Sequence, residues 1–258
     1  MNERLGKVPL ERALSKLGVA SRAQTREWIL SGKLLVNGKV VKDPWFPVVP
    51  ETDQFVVDGK PMTKSAWCTV MMYKPKGIVT TKSDEKGRAT VFDLLPAEMK
   101  TLHPVGRLDM ASTGLLILTN DTRLSDFLTD PTNAIPRTYV VTIEGQLLDA
   151  ELEQIVNGIM DEGELLKPSK LTLKKASRKE SHFLVELTEG KNRELRRIFS
   201  FFGHRVRRLK RIAFGPLELG DLEPGTFRPL TESEITALAA LCSSGQGALG
   251  LRRNRENI

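Results

Sequence analysis

The chain has 258 residues, of which 40% are hydrophobic and 28% charged, and its formal net charge is +7. A globular protein of this length forms one large domain, or a small domain and a medium one. Its two cysteines, Cys68 and Cys242, rule out a disulfide framework and indicate a reduced protein. With no run of roughly 20 apolar residues and no apolar signal core, we expect a cytoplasmic protein without membrane contact. The positive charge favours a polyanionic partner, either nucleic acid or an anionic surface.

The first sixty residues are predicted to form a small unit that begins with two helices. Leucines between Leu10 and Leu17 share one helix face, and Gly18 ends that helix. Ser21 begins a second helix, because Gln24 follows three residues later in a capping-box pattern. This second helix is predicted to stop at Gly32.

A hairpin and a closing strand follow the two helices. Short apolar runs flank Asn37-Gly38 over residues 34–41, and Phe55–Val57 is the next strand. This order, with Ala20-Ser21-Arg22 leading into Val36-Asn37-Gly38, resembles the RNA-binding domain named after ribosomal protein S-four. The resemblance implies RNA binding by residues 1–60, although solvated helix faces would show the same charges. The cations on or near the helices are Arg12, Lys16, Arg22 and Arg26.

Residues 61–67 are polar and are predicted to link this unit to a larger domain over 68–242. Strands are predicted over 68–73, 115–119, 138–143, 183–187 and 206–214, and helices over 121–128, 149–156, 192–202 and 232–241. Because regular strand–helix–strand alternation is missing, the pattern predicts an α+β fold with a mixed or largely antiparallel sheet. Residues 243–258, rich in Gly, Ser and Arg, are predicted to form a disordered basic tail.

The most informative stretch of the larger domain runs from Gly106 to Asn120. It places Asp109 in a loop directly before the apolar run Leu115–Leu118. A carboxylate held rigidly ahead of a buried strand can face a cleft, which a nucleophile needs. Aspartate in a glycine-containing loop is also ordinary turn chemistry, so this pattern alone leaves both interpretations open.

Four segments together resemble the pseudouridine synthases, and most closely the group that modifies bacterial ribosomal RNA behind an S-four-type domain. They occur in the family's order and span residues 68 to about 230. The segments are Tyr73-Lys74-Pro75-Lys76-Gly77-Ile78-Val79-Thr80-Thr81, the Gly106-Arg107-Leu108-Asp109 loop, Arg137-Thr138-Tyr139-Val140-Val141, and Leu187 to Phe199 with its core Glu189-Gly190-Lys191-Asn192-Arg193.

The resemblance implies isomerisation of uridine in RNA without cofactor or metal. It implies that Asp109 is the nucleophile or the base that acts on the sugar. Arg196 matches the arginine that pairs with this carboxylate, and an exposed helix arginine is the alternative. Tyr139 matches the tyrosine that stacks on uracil and takes its proton, and an ordinary strand tyrosine is the alternative.

Further cations are predicted to contact RNA. Arg107 would order the loop or fill the space that the flipped base leaves. Lys74 and Lys76 would support the floor of the site and contact phosphate. Nine Lys and Arg residues against one acid between Lys191 and Arg211 predict a basic wall beside the cleft. The members of this stretch assigned to RNA binding are Lys191, Arg193 and Arg197.

The sequence therefore predicts a monomeric enzyme that modifies ribosomal RNA, with the large-subunit RNA favoured. The main alternative is a non-catalytic RNA-binding or ribosome-assembly protein. The presence of Asp109, Tyr139 and Arg196 argues against this alternative. A metal-dependent nuclease would need clustered carboxylates. The nearest candidates, Asp121, Asp126 and Asp130, are predicted to lie on an exposed helix face instead.

Overall fold

The N-terminal unit combines two short helices with small antiparallel sheets. The computed structural model describes residues 6–63 and 66–244. Strands β3, β2, β5 and β6 form one sheet in that order, and β1 pairs with β4. In chain order the elements are β1 (Val8–Pro9), α1 (Leu10–Lys16), α2 (Arg22–Leu30), β2 (Leu34–Val36), β3 (Lys39–Val40), β4 (Pro47–Val48), β5 (Phe55–Val57) and β6 (Lys60–Met62).

The local signals in this unit act as predicted. Gly18 follows the end of α1 with φ +71°. The Ser21 hydroxyl accepts a hydrogen bond from the backbone N–H of Gln24 at 3.2 Å, and α2 begins at Arg22. Asn37 and Gly38 both have positive φ, as a two-residue hairpin turn requires. The two helices and the hairpin are confirmed.

The unit extends beyond the predicted boundary at residue 60. Asp58 and Gly59 form a second turn with positive φ, and β6 pairs with β5 through Pro61 opposite Val56. The prediction of a linker from residue 61 is therefore wrong at its start. This strand could not be predicted because β6 lies at the sheet edge, where exposed Lys and Pro replace the alternation of apolar and polar residues.

The larger domain contains a counterpart of every strand and helix predicted for it. A lysine-rich edge strand, β13, and the hairpin β11–β12 were not predicted. In chain order the elements are β7 (Thr69–Lys74), β8 (His103–Pro104), β9 (Thr113–Thr119), α3 (Thr122–Thr129), β10 (Arg137–Glu144), α4 (Asp149–Asn157), β11 (Ile159–Asp161), β12 (Glu164–Leu166), β13 (Lys170–Ala176), β14 (Glu180–Leu187), α5 (Glu194–Phe201), β15 (Val206–Phe214), β16 (Leu217–Glu218), β17 (Phe227–Pro229) and α6 (Glu232–Ser244).

Two predictions concern the end of the chain. Helix α6 runs to Ser244, so the prediction that residues 243 and 244 belong to a disordered tail is wrong. The rest of the predicted tail, residues 245–258, lies outside the described residues.

One mixed sheet organises the larger domain. Its main path has the order β13-β14-β10-β15-β9-β7-β17, with β16 beside β15 and β8 beside β9. Every neighbouring pair is antiparallel except β15 and β9, which run parallel. This join connects the two halves of the sheet, and the Asp109 loop enters β9 directly beside it. The predicted α+β class with a mixed sheet is confirmed.

The parallel join depends on a glycine. Gly114 lies opposite Arg211 with φ +107°, and a Cβ at this position would come within 2.1 Å of the Arg211 carbonyl oxygen. No side chain fits there, so the two backbones can approach only because residue 114 has none. Gly114, five residues after Asp109, is thus required for the packing of β9 against β15.

Apolar side chains cover both faces of the central strands. On β9, Leu116 and Leu118 join one core cluster with Tyr139, and Leu115 and Ile117 join a second cluster on the opposite face. Burial on both faces explains why this strand appears as a continuous apolar run. The resulting platform holds the loops at its edge rigidly.

Asn120, at the end of β9, fixes the chain segment that enters the larger domain. Its amide oxygen accepts from Cys68 N–H at 2.8 Å, and its amide nitrogen donates to the Ala66 carbonyl at 2.9 Å. The same amide lies against Gly18 of the N-terminal unit. Among the described residues, no helix is both long and apolar enough to cross a membrane.

Candidate active site

Asp109 lies in a loop that several hydrogen bonds hold in place. Thr80 donates its hydroxyl to the Leu108 carbonyl at 2.8 Å, and Gly77 N–H donates to the Met110 carbonyl at 2.8 Å. The Asp109 side chain itself is 37% exposed. A hydrogen-bonded loop thus presents an accessible carboxylate.

Arg196, in the first turns of α5, lies next to this carboxylate. Its Nε is 3.7 Å from Asp109 Oδ2, an ion pair without a hydrogen bond. The guanidinium also donates to the Ser112 hydroxyl and to the Val206 carbonyl, each at 3.3 Å. Burial lowers the pKa of Arg196, the charge of Asp109 opposes that change, and repulsion from Arg193 adds to it. The predicted neighbourhood of Asp109 and Arg196 is present in the structure.

A buried lysine lies under the same loop. Lys74 is fully buried and donates to the carbonyls of Ser112, at 2.9 Å, and Pro75, at 3.1 Å. Desolvation lowers the pKa of Lys74 to about 8, partly opposed by the charge of Asp109. Its predicted contact with RNA phosphate is wrong, since the ammonium has no exposed surface. Its predicted support of the floor of the site matches this position.

Asp109 and Tyr139 line one cavity of about 720 Å³, which we call the active cleft. This volume is typical of a site that encloses a small ligand. Tyr139 comes from β10 and is 9% exposed, with Leu209 and Leu187 lining the same cleft. Arg107 is exposed and lines the cleft beside Asp109.

Three buried charged residues at the active cleft had no individual role in the sequence-based prediction. Arg137 donates to the carbonyls of Thr188 and Leu128, both at 2.9 Å. Arg211 donates through Nε to the Leu115 carbonyl at 2.7 Å, and its Nη2 is buried without a hydrogen-bond partner. Arg211 belongs to the predicted strand 206–214 and Arg137 directly precedes the predicted strand 138–143, and at neither position does a sequence pattern distinguish a buried arginine from an exposed one.

Glu194 is the third of these residues. It is 3% exposed, and one carboxyl oxygen accepts from Lys191 N–H at 3.2 Å while the other is buried without a hydrogen bond. Burial raises the pKa of Glu194 to about 7. The sequence offered only a weak signal, an acid preceding the apolar stripe of α5.

Two cations of the predicted basic wall bind protein groups instead of facing solvent. Arg197 pairs with Asp161 and Glu164 of the β11–β12 hairpin. Lys191 donates to the Leu165 carbonyl and pairs with Glu189. The prediction that Arg197 is free for RNA is therefore wrong. Lys191 lines the active cleft, but its ammonium is bonded to the Leu165 carbonyl and to Glu189.

The other predicted RNA-binding residues remain accessible. Lys76 and Arg193 are exposed beside the active site. In the N-terminal unit Arg12, Arg22 and Arg26 are exposed and Lys16 is partly exposed, with Arg26 3.6 Å from Glu11. The structure therefore leaves cations available on both units.

Carboxylates of helix α3 have structural roles at its ends. Asp121 is buried and accepts from the N–H groups of Arg123 and Leu124, so its predicted place on an exposed face is wrong. Asp130 accepts from Thr132, and Asp126 is exposed. Within residues 6–63 and 66–244, no three His, Cys, Asp or Glu side chains group as a metal site.

Comparisons with known proteins identify the family of this chain. The family model described as RNA pseudouridylate synthase matches residues 69–201, and the S4 domain model matches residues 8–53. A ribosomal large subunit pseudouridine synthase B from Bacillus subtilis is 36% identical over 241 residues, covering 93% of this chain and 98% of the relative. An uncharacterized RNA pseudouridine synthase from Aquifex aeolicus is 36% identical over 232 residues, covering 90% and 93%.

A solved structure supports the same assignment. The crystal structure of a pseudouridylate synthase is similar with a TM-score of 0.64 and 28% identity, covering 90% of this chain and 99% of that one. The family match includes the Asp109 loop, Tyr139 and Arg196. The chain therefore belongs to the RNA pseudouridylate synthase family and carries an S4 domain at its N-terminal end.

Proposed function

We propose that this protein isomerises uridine to pseudouridine in large-subunit ribosomal RNA. The observation that carries the proposal is the ion pair between Asp109 and Arg196 beside a cleft of about 720 Å³ that Asp109 and Tyr139 both line. Relatives from Bacillus subtilis and Pseudomonas aeruginosa that bear the name ribosomal large subunit pseudouridine synthase B support the choice of RNA. We expect the protein to act as a cytoplasmic monomer.

The reaction rearranges bonds within one nucleotide. The bond between N1 of uracil and C1′ of the ribose breaks, the ring turns, and C5 bonds to C1′. The proton on C5 leaves and N1 gains one, so that the atoms balance without a co-substrate. Asp109 acts on the ribose, as nucleophile or as base, and needs its negative charge for either role.

The surrounding residues support the charge on Asp109 and hold the base. Arg196 provides the nearest cation, and Lys74 adds a second positive charge from below the loop. The Tyr139 ring packs against uracil, and its hydroxyl relays the proton from C5, accepting it as its own proton passes on. Arg107, exposed beside Asp109, fills the gap that the flipped nucleotide leaves in the RNA.

Tritium release tests this proposal. Large-subunit ribosomal RNA labelled at C5 of uridine is incubated with the wild-type protein and with Asp109→Ala, in the presence of EDTA. Release by the wild type alone supports C5 chemistry that depends on Asp109. No release from naked RNA or from precursor particles would favour a non-catalytic RNA-binding protein.

A further inference from the structure

A second cavity, of about 800 Å³, adjoins the active cleft, and we call it the basic cleft. One of its lining residues, Arg193, lines both cavities. A second, Arg196, pairs with Asp109 on the active-cleft side. The two cavities therefore meet at Arg193, and Arg196 of the basic cleft contacts the carboxylate that lines the active cleft. The basic residues lining the basic cleft are Lys76, Arg193, Arg196, His204, Arg205 and Arg207.

The charge of the basic cleft is strongly unbalanced. Glu144 is the single acid among its lining residues, and Arg207 already pairs with it at 2.9 Å. Arg193 repels the charge of Arg196, which lowers the pKa of Arg196 further than burial alone. Like charges gathered in a concave, partly desolvated space create a positive potential that attracts an anion. An anion placed here would relieve this repulsion.

Backbone hydrogen bonds hold the segments that carry these cations. Lys76 sits in a turn whose Gly77 has φ +94° and donates to Met110 in the Asp109 loop. Arg205 and Arg207 flank the buried Val206 at the start of β15, and residues two apart on an extended strand point the same way. Cations from two separate elements thus converge without long flexible loops, which limits the entropy lost when they bind a ligand.

Because the two cavities are neighbours that meet at the exposed Arg193, an RNA strand with one nucleotide in the active cleft brings its adjacent phosphates close to the basic cleft. We propose that the basic cleft binds backbone phosphates of the RNA strand next to the flipped uridine. This inference rests on the proposed function and specifies where the substrate strand runs. Phosphates lie at every nucleotide, so this contact fixes the register of the strand without reading its sequence.

The salt dependence of RNA binding tests the basic cleft. Arg205→Gln, Lys76→Gln and the double variant are compared with Arg123→Gln, a matched change of an exposed arginine on α3 that lines neither cleft. The probe is a transcript of large-subunit ribosomal RNA carrying tritium at C5 of uridine. We expect each cleft change to weaken binding several-fold and to lower the slope of log affinity against log salt by about 0.7. The double variant should lose about twice that slope, and Arg123→Gln much less.

Phosphate ethylation interference locates the contact. Ethyl groups on phosphates flanking the modified uridine should block binding to the wild type but matter little to the double variant. The proposal is overturned if the cleft variants lower the salt slope no more than Arg123→Gln does. It is also overturned if the phosphates whose ethylation no longer inhibits binding of the variants lie far from that uridine. Tritium release by the wild type is scored separately. Absence of release rejects the proposed function, whereas release with unchanged slopes rejects only the basic cleft.

Discussion

The cations of the larger domain and those of the N-terminal unit differ in what surrounds them. Lys74, Arg137 and Arg211 are buried and donate to backbone carbonyls around the active cleft. Arg12 and Arg22, in contrast, lie exposed on or beside short helices. Both groups raise the net charge equally, but they act over different ranges. A buried cation acts on its immediate neighbours, whereas an exposed one is screened by salt and attracts a polyanion from solution.

We expect this difference to separate the residues that affect turnover from those that affect RNA binding. Changes at the buried site should reduce turnover with little effect on the salt dependence of binding. Changes on the exposed surfaces should act on affinity and on its salt dependence. The following variants test this separation, beginning with the largest expected effect.

Replacing the carboxylate should abolish turnover. Asp109→Asn keeps the shape of the side chain but removes its charge, so we expect a loss of about 10⁴-fold or more in tritium release. RNA affinity, measured by filter binding, should stay within a few-fold. Asp126→Asn, an exposed carboxylate on α3, is the matched control. A parallel collapse of affinity would mean that Asp109 holds the loop together instead of reacting.

Removing Arg196, the partner of Asp109, should reduce turnover less than replacing Asp109 itself. Arg196→Ala leaves the carboxylate without its nearest cation, and we expect kcat to fall by about 100-fold. Arg196→Lys should recover part of this loss because it restores the charge but not the two further hydrogen bonds of the guanidinium. Equal activity of the Ala and Lys variants would show that charge is not the contribution of Arg196.

Neutralising the N-terminal cations should act on binding. Changing Arg12, Lys16, Arg22 and Arg26 together to Gln should weaken affinity by tenfold or more. At about 0.7 for each contact the salt slope should fall by about 2 to 3, with Arg26 contributing least because it lies near Glu11. An unchanged slope in filter-binding titrations would argue that the N-terminal unit does not contact RNA.

Lys74 should influence activity through the Asp109 loop. Lys74→Met removes its bonds to Ser112 and Pro75, and we expect kcat to fall by about tenfold. Since the pKa of Lys74 is lowered to about 8, wild-type activity should decline as pH rises through 8 and the ammonium loses its proton. The variant should lack this decline. Lys100→Met, at an exposed position, should keep both the activity and the pH profile of the wild type.

Glu194 should affect stability more than turnover. Its pKa lies near 7 in the folded protein against an ordinary 4.5, so folding holds a proton that the unfolded chain releases. This contribution is complete below pH 4.5 and is lost as pH rises through 7, with a total of about 3 kcal/mol. Glu194→Gln should remove that dependence, so urea unfolding should show the variant more stable than wild type at pH 8 and similar at pH 5. A difference in the free energy of unfolding that stays constant from pH 5 to pH 8 would contradict the raised pKa of Glu194.

Much of the fold could be predicted because local signals agreed with the tertiary structure. Ser21 with Gln24, and Asn37 with Gly38, specify a helix start and a turn from a few adjacent residues. The continuous apolar run Leu115–Leu118 identifies a strand buried on both faces. Edge strands β6 and β13 were missed because their exposed, lysine-containing sequences have no such pattern.

The sequence by itself determined the helices and the central strands, the S4 domain and the resemblance that singles out Asp109, Tyr139 and Arg196. Only the tertiary structure decided which charges are free. Nine cations between Lys191 and Arg211 are equivalent in the sequence, but Arg197 pairs with a distant hairpin, Arg211 is buried, and Arg205 faces the basic cleft. Burial and pairing depend on contacts between residues far apart in the chain, and a pattern of neighbours does not contain them.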